Sequence, residues 1–286
     1  MNKKGEIIVI GSIVRDIVEL TNGKKKEFLG GTGANISYGL GVLGLNPTLI
    51  SVVGKDFSKK IKEYFKKNKI NLNIFKDKKE DTAVFSVIKK TKGKDIEIWK
   101  PNVFNKIEKL SLSYFLNKKE LEKVNIIIFS PGTPISTHLH LKQFYEKGNK
   151  DAVVIFDPGQ MTNMYTKKQF TECLKFSDIL ILNELEFKQA EKIIKKKILE
   201  SFKDKIIIKT LGHKGSAIYK NKEVFNIPIV KPKKVVSAVG AGDAYRAGLI
   251  FGILNKMSLE ESCKLGAKLA SKNVEFLGCQ QYDFSL

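Results

Sequence analysis

The sequence is poor in the residues that build disulfide frameworks and zinc sites. Its 286 residues include three cysteines and three histidines, and none of them has the grouping of a zinc site. A small, odd number of cysteines in a chain of this length predicts reduced thiols. No apolar run approaches the ~18 residues of a membrane span, and the N-terminus lacks the apolar stretch of a signal peptide. We therefore expect a cytoplasmic protein with no membrane partner.

Arginine is almost absent from this strongly basic chain. The formal net charge is +21 at pH 7, yet only Arg15 and Arg246 among the 51 basic residues are arginines. A basic protein can bind nucleic acid by releasing counterions from phosphates. Base reading and bidentate phosphate binding favour arginine forks, however, and the lysines are spread along the whole chain. We interpret the lysine excess as a solvated surface, and a nucleic-acid partner is disfavoured.

Short apolar segments alternate with amphipathic helices along the chain. With 42% hydrophobic residues, the chain is long enough to bury a full core. Segments that are apolar at every position predict strands buried on both faces, and the intervening helices carry lysines on one side. The pattern predicts an α/β fold with a doubly wound, mostly parallel sheet and helices on both faces. The predicted buried strands are residues 7–10, 126–129, 153–156, 179–182 and 206–208.

One segment departs from this alternation. Residues 82–88 and 95–99 are rich in β-forming residues and flank Lys92-Gly93-Lys94, which predicts a β-hairpin. The hairpin either completes the main sheet or belongs to a small separate sheet.

A glycine-rich turn, Gly240-Ala241-Gly242-Asp243, leads into an apolar helix near the C-terminus. Such a turn leaves backbone N–H groups unpaired at the positive end of the helix dipole, where they can stabilise a phosphoryl group in transit. Asp243 is placed to accept a proton from an attacking hydroxyl. The alternative is a tight turn in which Asp243 only caps the helix.

A second glycine motif, Gly30-Gly31-Thr32-Gly33-Ala34-Asn35, opens another predicted helix. With both motifs the chain resembles the PfkB, or ribokinase-like, family of small-molecule kinases. The resemblance implies a ribokinase-like fold and ATP-dependent phosphorylation of an alcohol. It also implies one domain over residues 1–286, with a small β lid from about residues 17–29 and 82–100 over the acceptor site. Further matching segments, in the family's order, are Gly11 to Asp16, Gly54-Lys55-Asp56-Phe57, Asn183-x-x-Glu186 and Thr210-x-Gly212-x-x-Gly215.

The resemblance implies roles for individual residues. Asp243 would be the general base, and the backbone of residues 240–242 would form the anion hole. Asp16 and Asn35 would hold two ribose hydroxyls, with Gly31 permitting close backbone approach, since a carboxylate and an amide suit a cis-diol. From the residues alone, Asp16 could also be a strand-end turn residue and Asn35 a first-turn helix residue.

ATP and Mg²⁺ are the cofactors that the resemblance implies. Asn183 and Glu186 would organise Mg²⁺ through waters, because Mg²⁺ keeps much of its hydration shell. A capping box at a helix start is the plainer interpretation of this pair. Thr210, Gly212 and Gly215 would line the nucleotide beside Asn183, with a plain β-turn as the alternative.

Smaller matches point to the archaeal-type nucleoside kinases related to adenosine kinase. Among them are Asp157-Pro158-Gly159-Gln160 and Gly278-Cys279-Gln280. Asp157 and Gln160 would bind substrate, because the Gln160 amide has a donor and an acceptor for a nucleobase edge; otherwise the segment is a turn whose glutamine faces water. Arg246 could reach phosphate or lie on the surface. The predicted reaction is phosphorylation of the 5′-hydroxyl of a nucleoside, with a purine expected.

Two features depart from the family pattern. The family's Asp-x-Thr before the anion hole is Ser237-Ala238-Val239 here, which offers fewer oxygens for a monovalent cation, so strong K⁺ activation is not expected. The first lid segment is short, and Asn22-Gly23 can close it as a tight hairpin. A short lid argues against a dimer formed through it and leaves monomer and homodimer open.

Other classes of protein compete with this interpretation. A sugar or sugar-phosphate kinase of the same family is the first alternative, since the many lysines could serve a phosphorylated acceptor. A dinucleotide-binding oxidoreductase fails, because the third glycine of its fingerprint, counted from Gly31, is Ile36 here. A basic nucleic-acid-binding protein is disfavoured by the scarcity of arginine.

Overall fold

The computed structural model describes residues 6–91 and 95–285, in which the strands form one large and one small sheet. In chain order the strands are β1 (Glu6–Ile10), β2 (Val14–Glu19), β3 (Lys25–Gly30), β4 (Thr48–Val53), β5 (Asn71–Lys76), β6 (Val84–Ile88), β7 (Ile96–Lys100), β8 (Val124–Phe129), β9 (Val153–Phe156), β10 (Ile179–Asn183), β11 (Ile206–Thr210), β12 (Ser216–Lys220) and β13 (Glu223–Ile227). The α-helices are α1 (Thr32–Val42), α2 (Lys59–Lys67), α3 (Leu112–Phe115), α4 (Lys118–Leu121), α5 (Pro134–Lys147), α6 (Lys167–Lys175), α7 (Glu184–Ile194), α8 (Ile198–Ser201), α9 (Ala241–Leu254) and α10 (Leu259–Asn273). Short 3₁₀ helices cover Asn102–Lys109, Gly159–Met164 and Gly212–Lys214.

The large sheet has the strand order β13-β12-β11-β10-β9-β8-β1-β4-β5. Neighbouring strands from β11 through to β5 are parallel, and β12 and β13 add an antiparallel hairpin at one edge. All five segments predicted as buried strands lie in the parallel part. The predicted α/β fold with a mostly parallel sheet is confirmed.

Strands that are apolar at every position bury both faces of this sheet. In β1, Ile7 and Val9 pack into one hydrophobic core, and Ile8 and Ile10 pack into the other. Successive side chains of a strand point to opposite faces, so a continuous apolar run needs cover on both sides. Residues from α1, α9 and α10 belong to the first core, and residues from α5, α6 and α7 belong to the second. This arrangement confirms the helices on both faces of the sheet.

The small sheet has the order β3-β2-β6-β7 and consists of two antiparallel hairpins joined by a parallel pair, β2 and β6. The first hairpin turns at Asn22-Gly23, where Gly23 has a φ of +76°. The second hairpin pairs Val84 with Lys100 and Ile88 with Ile96. Its predicted turn, residues 92–94, lies outside the described residues. The hairpin predicted over residues 82–99 therefore belongs to a separate small sheet and does not extend the large one.

The direction of the parallel strands gathers polar residues at one edge of the large sheet. Just beyond the ends of β8 and β9, the N–H of Ser130 donates to the Ile10 carbonyl (2.9 Å) and that of Asp157 to the Phe129 carbonyl (3.0 Å). Asn183 lies beside Thr210 in the register of β10 and β11. The carboxyl edge of an open α/β sheet is the usual place for a ligand site. Among the described helices, none combines the length and apolar character needed to cross a bilayer.

Candidate active site

The glycine-rich turn before α9 presents backbone donors at the start of that helix. Gly240 adopts a left-handed conformation with φ +81°, which favours glycine, and α9 begins at Ala241. The Ala241 N–H donates to the Ala238 carbonyl (3.3 Å), whereas no described residue accepts from the N–H of Gly242 or Asp243. These two groups, at the positive end of the helix dipole, can bind an anion.

The side chain of Asp243 is held by a chain of amides from distant parts of the sequence. Asn35 Nδ2 donates to Asp243 Oδ2 at 2.8 Å, and Gln280 Nε2 donates to Asn35 Oδ1 at 2.9 Å. Asn35 is 6% exposed and Gln280 is 4% exposed. Because Gln280 occupies the Asn35 oxygen, the Asn35 nitrogen faces the carboxylate. The amide chain therefore orients Asp243 and stabilises its charged form.

Asp16 and Asp243 form a pair of carboxyl groups with raised pKa values. Burial raises the pKa of Asp243 to about 6, against the opposing effects of the Arg246 guanidinium and of the Asn35 hydrogen bond. Burial, and after it the Asp243 carboxylate, raise the pKa of Asp16 to about 7. Raised carboxyl pKa values near neutral pH are typical of sites that exchange protons.

Asp16 comes from the small sheet and Asn35 from α1, so the site lies where the two sheets meet. Asp16 follows Arg15 on β2, and the loop from β3 to α1 passes through Gly31. Gly31 has a φ of +94°, and a Cβ there would lie 2.5 Å from the Ser12 carbonyl oxygen. The backbone can approach this closely only with glycine at that position. The structure thus brings together Asp16, Asn35 and Asp243, three of the residues predicted for the site.

Asn183 and Glu186 form the capping box that was the plainer interpretation of their spacing. Asn183 Oδ1 accepts from the Glu186 N–H (2.9 Å), and Glu186 Oε2 accepts from the Asn183 N–H (2.7 Å). Burial raises the pKa of Glu186, as does the Asp157 carboxylate nearby. In the described residues no group of three or more histidine, cysteine or carboxylate side chains is arranged to hold a metal ion. One carboxylate with a spare oxygen suits a cation bound through waters and phosphates, which is how Mg²⁺ is commonly held.

Thr210, Gly212 and Gly215 lie next to this capping box at the end of β11. The short 3₁₀ helix Gly212–Lys214 is exposed, and the Leu211 N–H donates to the Gly215 carbonyl at 2.8 Å. Gly212 and Gly215 have φ values of +59° and +94°. The loop is a compact turn whose backbone is open to a ligand from solvent.

Asp157 does not face open space. It is 1% exposed, and Arg246 binds both its oxygens: Nη2 donates to Oδ1 at 2.7 Å, and Nε pairs with Oδ2. Its partner in this structure is Arg246, and a contact with substrate stays a prediction. Gln160, three residues further on, is exposed, and no hydrogen bond joins its side chain to another described residue.

Two residues of this site carry only a weak signal in the sequence. Gln280 was noted only as part of the Gly278-Cys279-Gln280 motif, yet it sets the orientation of Asn35. Arg246 could have been a surface residue, but it is 7% exposed and lies beside Asp157. A single arginine inside an apolar helix of a lysine-rich chain was the available signal for it.

Known proteins resemble the chain over nearly its full length. The family model of the pfkB family of carbohydrate kinases matches residues 4–283. The nucleoside kinase of Methanocaldococcus jannaschii is 31% identical over 269 residues, which cover 89% of this chain and 82% of that protein. The ribokinase of Lactococcus lactis is 26% identical over 290 residues, which cover 96% of this chain and 92% of that protein.

Solved structures agree with this likeness. The crystal structure of the Methanocaldococcus jannaschii nucleoside kinase, an archaeal member of the ribokinase family, has a TM-score of 0.87 at 28% identity and covers 98% of this chain and 95% of that chain. The structure of a Burkholderia thailandensis nucleoside kinase in complex with inosine has a TM-score of 0.85 at 19% identity and covers 96% of this chain and 93% of that one. The second comparison shows likeness of fold.

The fold is therefore ribokinase-like, and the class of protein is a small-molecule kinase. The chain belongs to the pfkB family of carbohydrate kinases. It is an ATP-dependent phosphotransferase of the nucleoside and carbohydrate type, and kinases of this family use ATP. The predicted family is confirmed.

Proposed function

We propose that the protein transfers the γ-phosphoryl group of ATP to the 5′-hydroxyl of a nucleoside, with a purine nucleoside as the preferred acceptor. The observation that carries the proposal is the cluster of Asp16, Asn35 and Asp243 at the N-terminus of α9. The nucleoside kinase at 31% identity supports a nucleoside as the acceptor.

Asp243 is the general base of the proposed reaction. Its carboxylate accepts the proton of the 5′-hydroxyl as the oxygen attacks phosphorus, and the Asn35 amide holds the carboxylate in place. The turn of residues 240–242 with the N–H of Asp243 is the anion hole for the phosphoryl group in transit. Base and donors share one turn, so attack and charge stabilisation are aligned without rearrangement.

Asp16, Asn35 and Gly31 bind the ribose in this proposal. Asp16 accepts from a hydroxyl, and Gly31, whose close contact with the Ser12 backbone fixes the loop before α1, presents its own backbone to the sugar. Gln160, exposed three residues after Asp157, reads the nucleobase in this proposal. Asp157 contributes to substrate binding indirectly, through the arginine that it holds.

ATP and Mg²⁺ are held on the other side of the anion hole in this proposal. Thr210, Gly212 and Gly215 line the nucleotide next to Asn183. Asn183 and Glu186 would hold Mg²⁺ through waters, and the ion would neutralise phosphate charge. The exposed turn after β11 and the spare carboxylate oxygen of Glu186 fit this assignment.

A phosphorylated sugar is a weaker candidate because Arg15, on the same strand as Asp16, is already paired with two carboxylates. Arg15 on β2 is bound by Glu27 (Nε to Oε1, 2.7 Å) and by Asp56 (Nη1 to Oδ2, 3.0 Å). An uncharged sugar such as ribose is the remaining alternative, which the ribokinase at 26% identity keeps in view.

A phosphorylation screen tests the proposal. Purified protein with ATP and Mg²⁺ is offered adenosine, guanosine, inosine, cytidine, ribose and fructose 6-phosphate, and the products are identified by mass spectrometry. We expect a purine nucleoside 5′-monophosphate as the best product. Turnover of ribose or fructose 6-phosphate with none for any nucleoside would reject the proposal.

A further inference from the structure

We propose that Arg246 is a further catalytic residue, whose Nη1 group contacts the phosphoryl group in transit while Asp157 holds the guanidinium in place. The inference rests on the proposed phosphoryl transfer at Asp243. It assigns a residue outside the glycine-rich turn to that step.

The guanidinium of Arg246 is bound by a protein partner along one edge only. Nε and Nη2, on one edge of the fork, are both engaged by Asp157. Asp157 is 1% exposed and is fixed at the end of β9 by the hydrogen bond from its own N–H to the Phe129 carbonyl. Among the described residues no acceptor pairs with Nη1, which leaves its two N–H donors for a ligand.

Nη1 points toward the anion hole. A helical side chain leans toward the N-terminus of its helix, so Arg246 lies over the first turn of α9. A Cβ built on Gly242 would be 2.8 Å from Arg246 Nη1, which places this nitrogen directly above the turn. Gly242 therefore clears a path for the guanidinium, and any side chain there would push Nη1 away. The unpaired N–H of Gly242 and the free donors of Nη1 lie at the same end of the helix.

The charges around Arg246 also favour a role with an anion. Three carboxylates, those of Asp157, Asp243 and Glu186, interact with its charge and raise the pKa of the guanidinium against the lowering effect of burial. Without Arg246 these carboxylates would repel an incoming triphosphate. A buried ion pair is often no more stabilising than apolar residues of similar size. Stability alone therefore does not account for this pair.

Lysine could not replace arginine in this geometry. The planar guanidinium binds Asp157 through one edge and still has a separate nitrogen that can donate to phosphate. A lysine ammonium is a single point charge on a flexible side chain and cannot do both in a fixed geometry. Nearly every other cation of the chain is lysine, so the arginine at this position is a departure from the composition. An arginine that stabilises phosphoryl transfer from within the same chain is a known chemical solution.

The test compares Arg246→Met, Arg246→Lys and Asp157→Asn with the wild type, using the acceptor that the wild type phosphorylates fastest. We expect kcat to fall about 10²–10³-fold in Arg246→Met, as for loss of one anion-hole donor. Arg246→Lys should lose at least about tenfold in kcat, with the KM of the acceptor changed less than about threefold. Asp157→Asn keeps the shape of the side chain but holds the Arg246 guanidinium less firmly. Its kcat should therefore lie between those of Arg246→Met and Arg246→Lys. A further variant, Arg246→Ala, tests chemical rescue. Guanidinium ion added to the assay should restore part of its turnover.

Glu172→Gln is the matched control, because it weakens a hydrogen bond between His138 and Glu172. This bond joins α5 to α6, two helices of the hydrophobic core on the other face of the sheet from α9. We expect its kcat to stay within about twofold of the wild type. Thermal unfolding separates loss of folding from loss of chemistry, and Asp157→Asn and Arg246→Lys serve where Arg246→Met does not fold. A folded Arg246→Lys with wild-type kcat would overturn the inference.

A binding measurement tests the role of Arg246 independently of which acceptor the protein phosphorylates. Aluminium fluoride with ADP and Mg²⁺ mimics the planar phosphoryl group, and the wild type should bind ADP more tightly in its presence. Arg246→Met should lose most of that gain while binding ADP alone normally. An unchanged gain would reject the role of Arg246. Absence of nucleoside turnover in the wild type would reject only the proposed function.

Discussion

Asn35 and Asp243, 208 residues apart in the sequence, meet through a 2.8 Å hydrogen bond in which the amide donates to the carboxylate. The direction of this bond is fixed by Gln280, which donates to the oxygen of the same amide. Burial disfavours the ionised form of the Asp243 carboxyl group, and the hydrogen bond from the neutral Asn35 amide stabilises that form. After burial and the Arg246 charge, the orientation of the Asn35 amide is the next influence on the pKa of the proposed base.

Gln280→Glu should reverse that orientation. A glutamate at this position accepts rather than donates, so the Asn35 nitrogen would turn to it and present the amide oxygen to Asp243. The pKa of Asp243 should rise above about 6, and the acidic limb of kcat/KM should move to higher pH. We expect a shift of roughly one pH unit, measured over pH 5–9, about the value of a hydrogen bond to a charged group.

Gln281→Glu makes the same charge change at the neighbouring, exposed position and is the control. Its acidic limb should stay with the wild type. If both variants titrate like the wild type, the amide chain does not tune the base.

Asp16→Asn should stabilise the protein at neutral and higher pH. The folded state binds the Asp16 proton more tightly than the unfolded chain, since the pKa is about 7 rather than 3.8. Stability is therefore lost as the pH rises from about 4 through about 7, and asparagine avoids this loss. Allowing for partial exposure, we expect a gain on the order of 1–2 kcal/mol above pH 7, or roughly 2–4 °C in Tm per kcal/mol.

The comparison is made by thermal unfolding at pH 4.5, 6 and 8. The difference between variant and wild type should be smallest at pH 4.5, just above the unfolded pKa of 3.8, and grow toward pH 8. Asp204→Asn, at an exposed carboxylate, controls for the loss of one negative charge. If the difference in Tm between variant and wild type did not change with pH, ionisation of Asp16 would not destabilise the folded protein.

Gln160→Ala should change the ranking of nucleosides more than it lowers turnover on the best one. Loss of a hydrogen bond to a substrate group costs about 1–3 kcal/mol, and only for bases that make the bond. The measurement is kcat/KM for adenosine, guanosine, inosine and cytidine. Asn163→Ala, an exposed change on the same 3₁₀ helix, should leave the ranking intact. An unaltered ranking in Gln160→Ala would make Gln160 a solvent-facing turn residue.

The sequence predicts the frame of this molecule because its signals are local. Runs such as Ile7 to Ile10 are short and apolar at every position, which favours a strand covered on both faces, and the structure has such strands there. Parallel strands bring their carboxyl ends to one edge, so Asn183 and Thr210 were expected to meet, and they do. The family motifs at Gly31 and Gly240 likewise lie at turns with positive φ.

Contacts between side chains that are far apart in the sequence could not be predicted from the sequence alone. The pairing of Asp157 with Arg246, 89 residues away, is one example. Gln280 contacts Asn35 across 245 residues. Which polar group is buried, and which neighbour satisfies it, follows from the packing of elements that no local pattern encodes.

Asp243→Asn tests the central claim most directly. Asparagine keeps the size of the side chain and much of its hydrogen bonding but cannot take the proton of an attacking hydroxyl. The measurement is single-turnover phosphorylation of the best acceptor, with nucleoside and ATP affinities determined by calorimetry on the same protein. We expect the rate to fall by about 10²–10⁴-fold while both ligands still bind. A near wild-type rate in Asp243→Asn would show that the carboxylate only caps α9 and would contradict the mechanism.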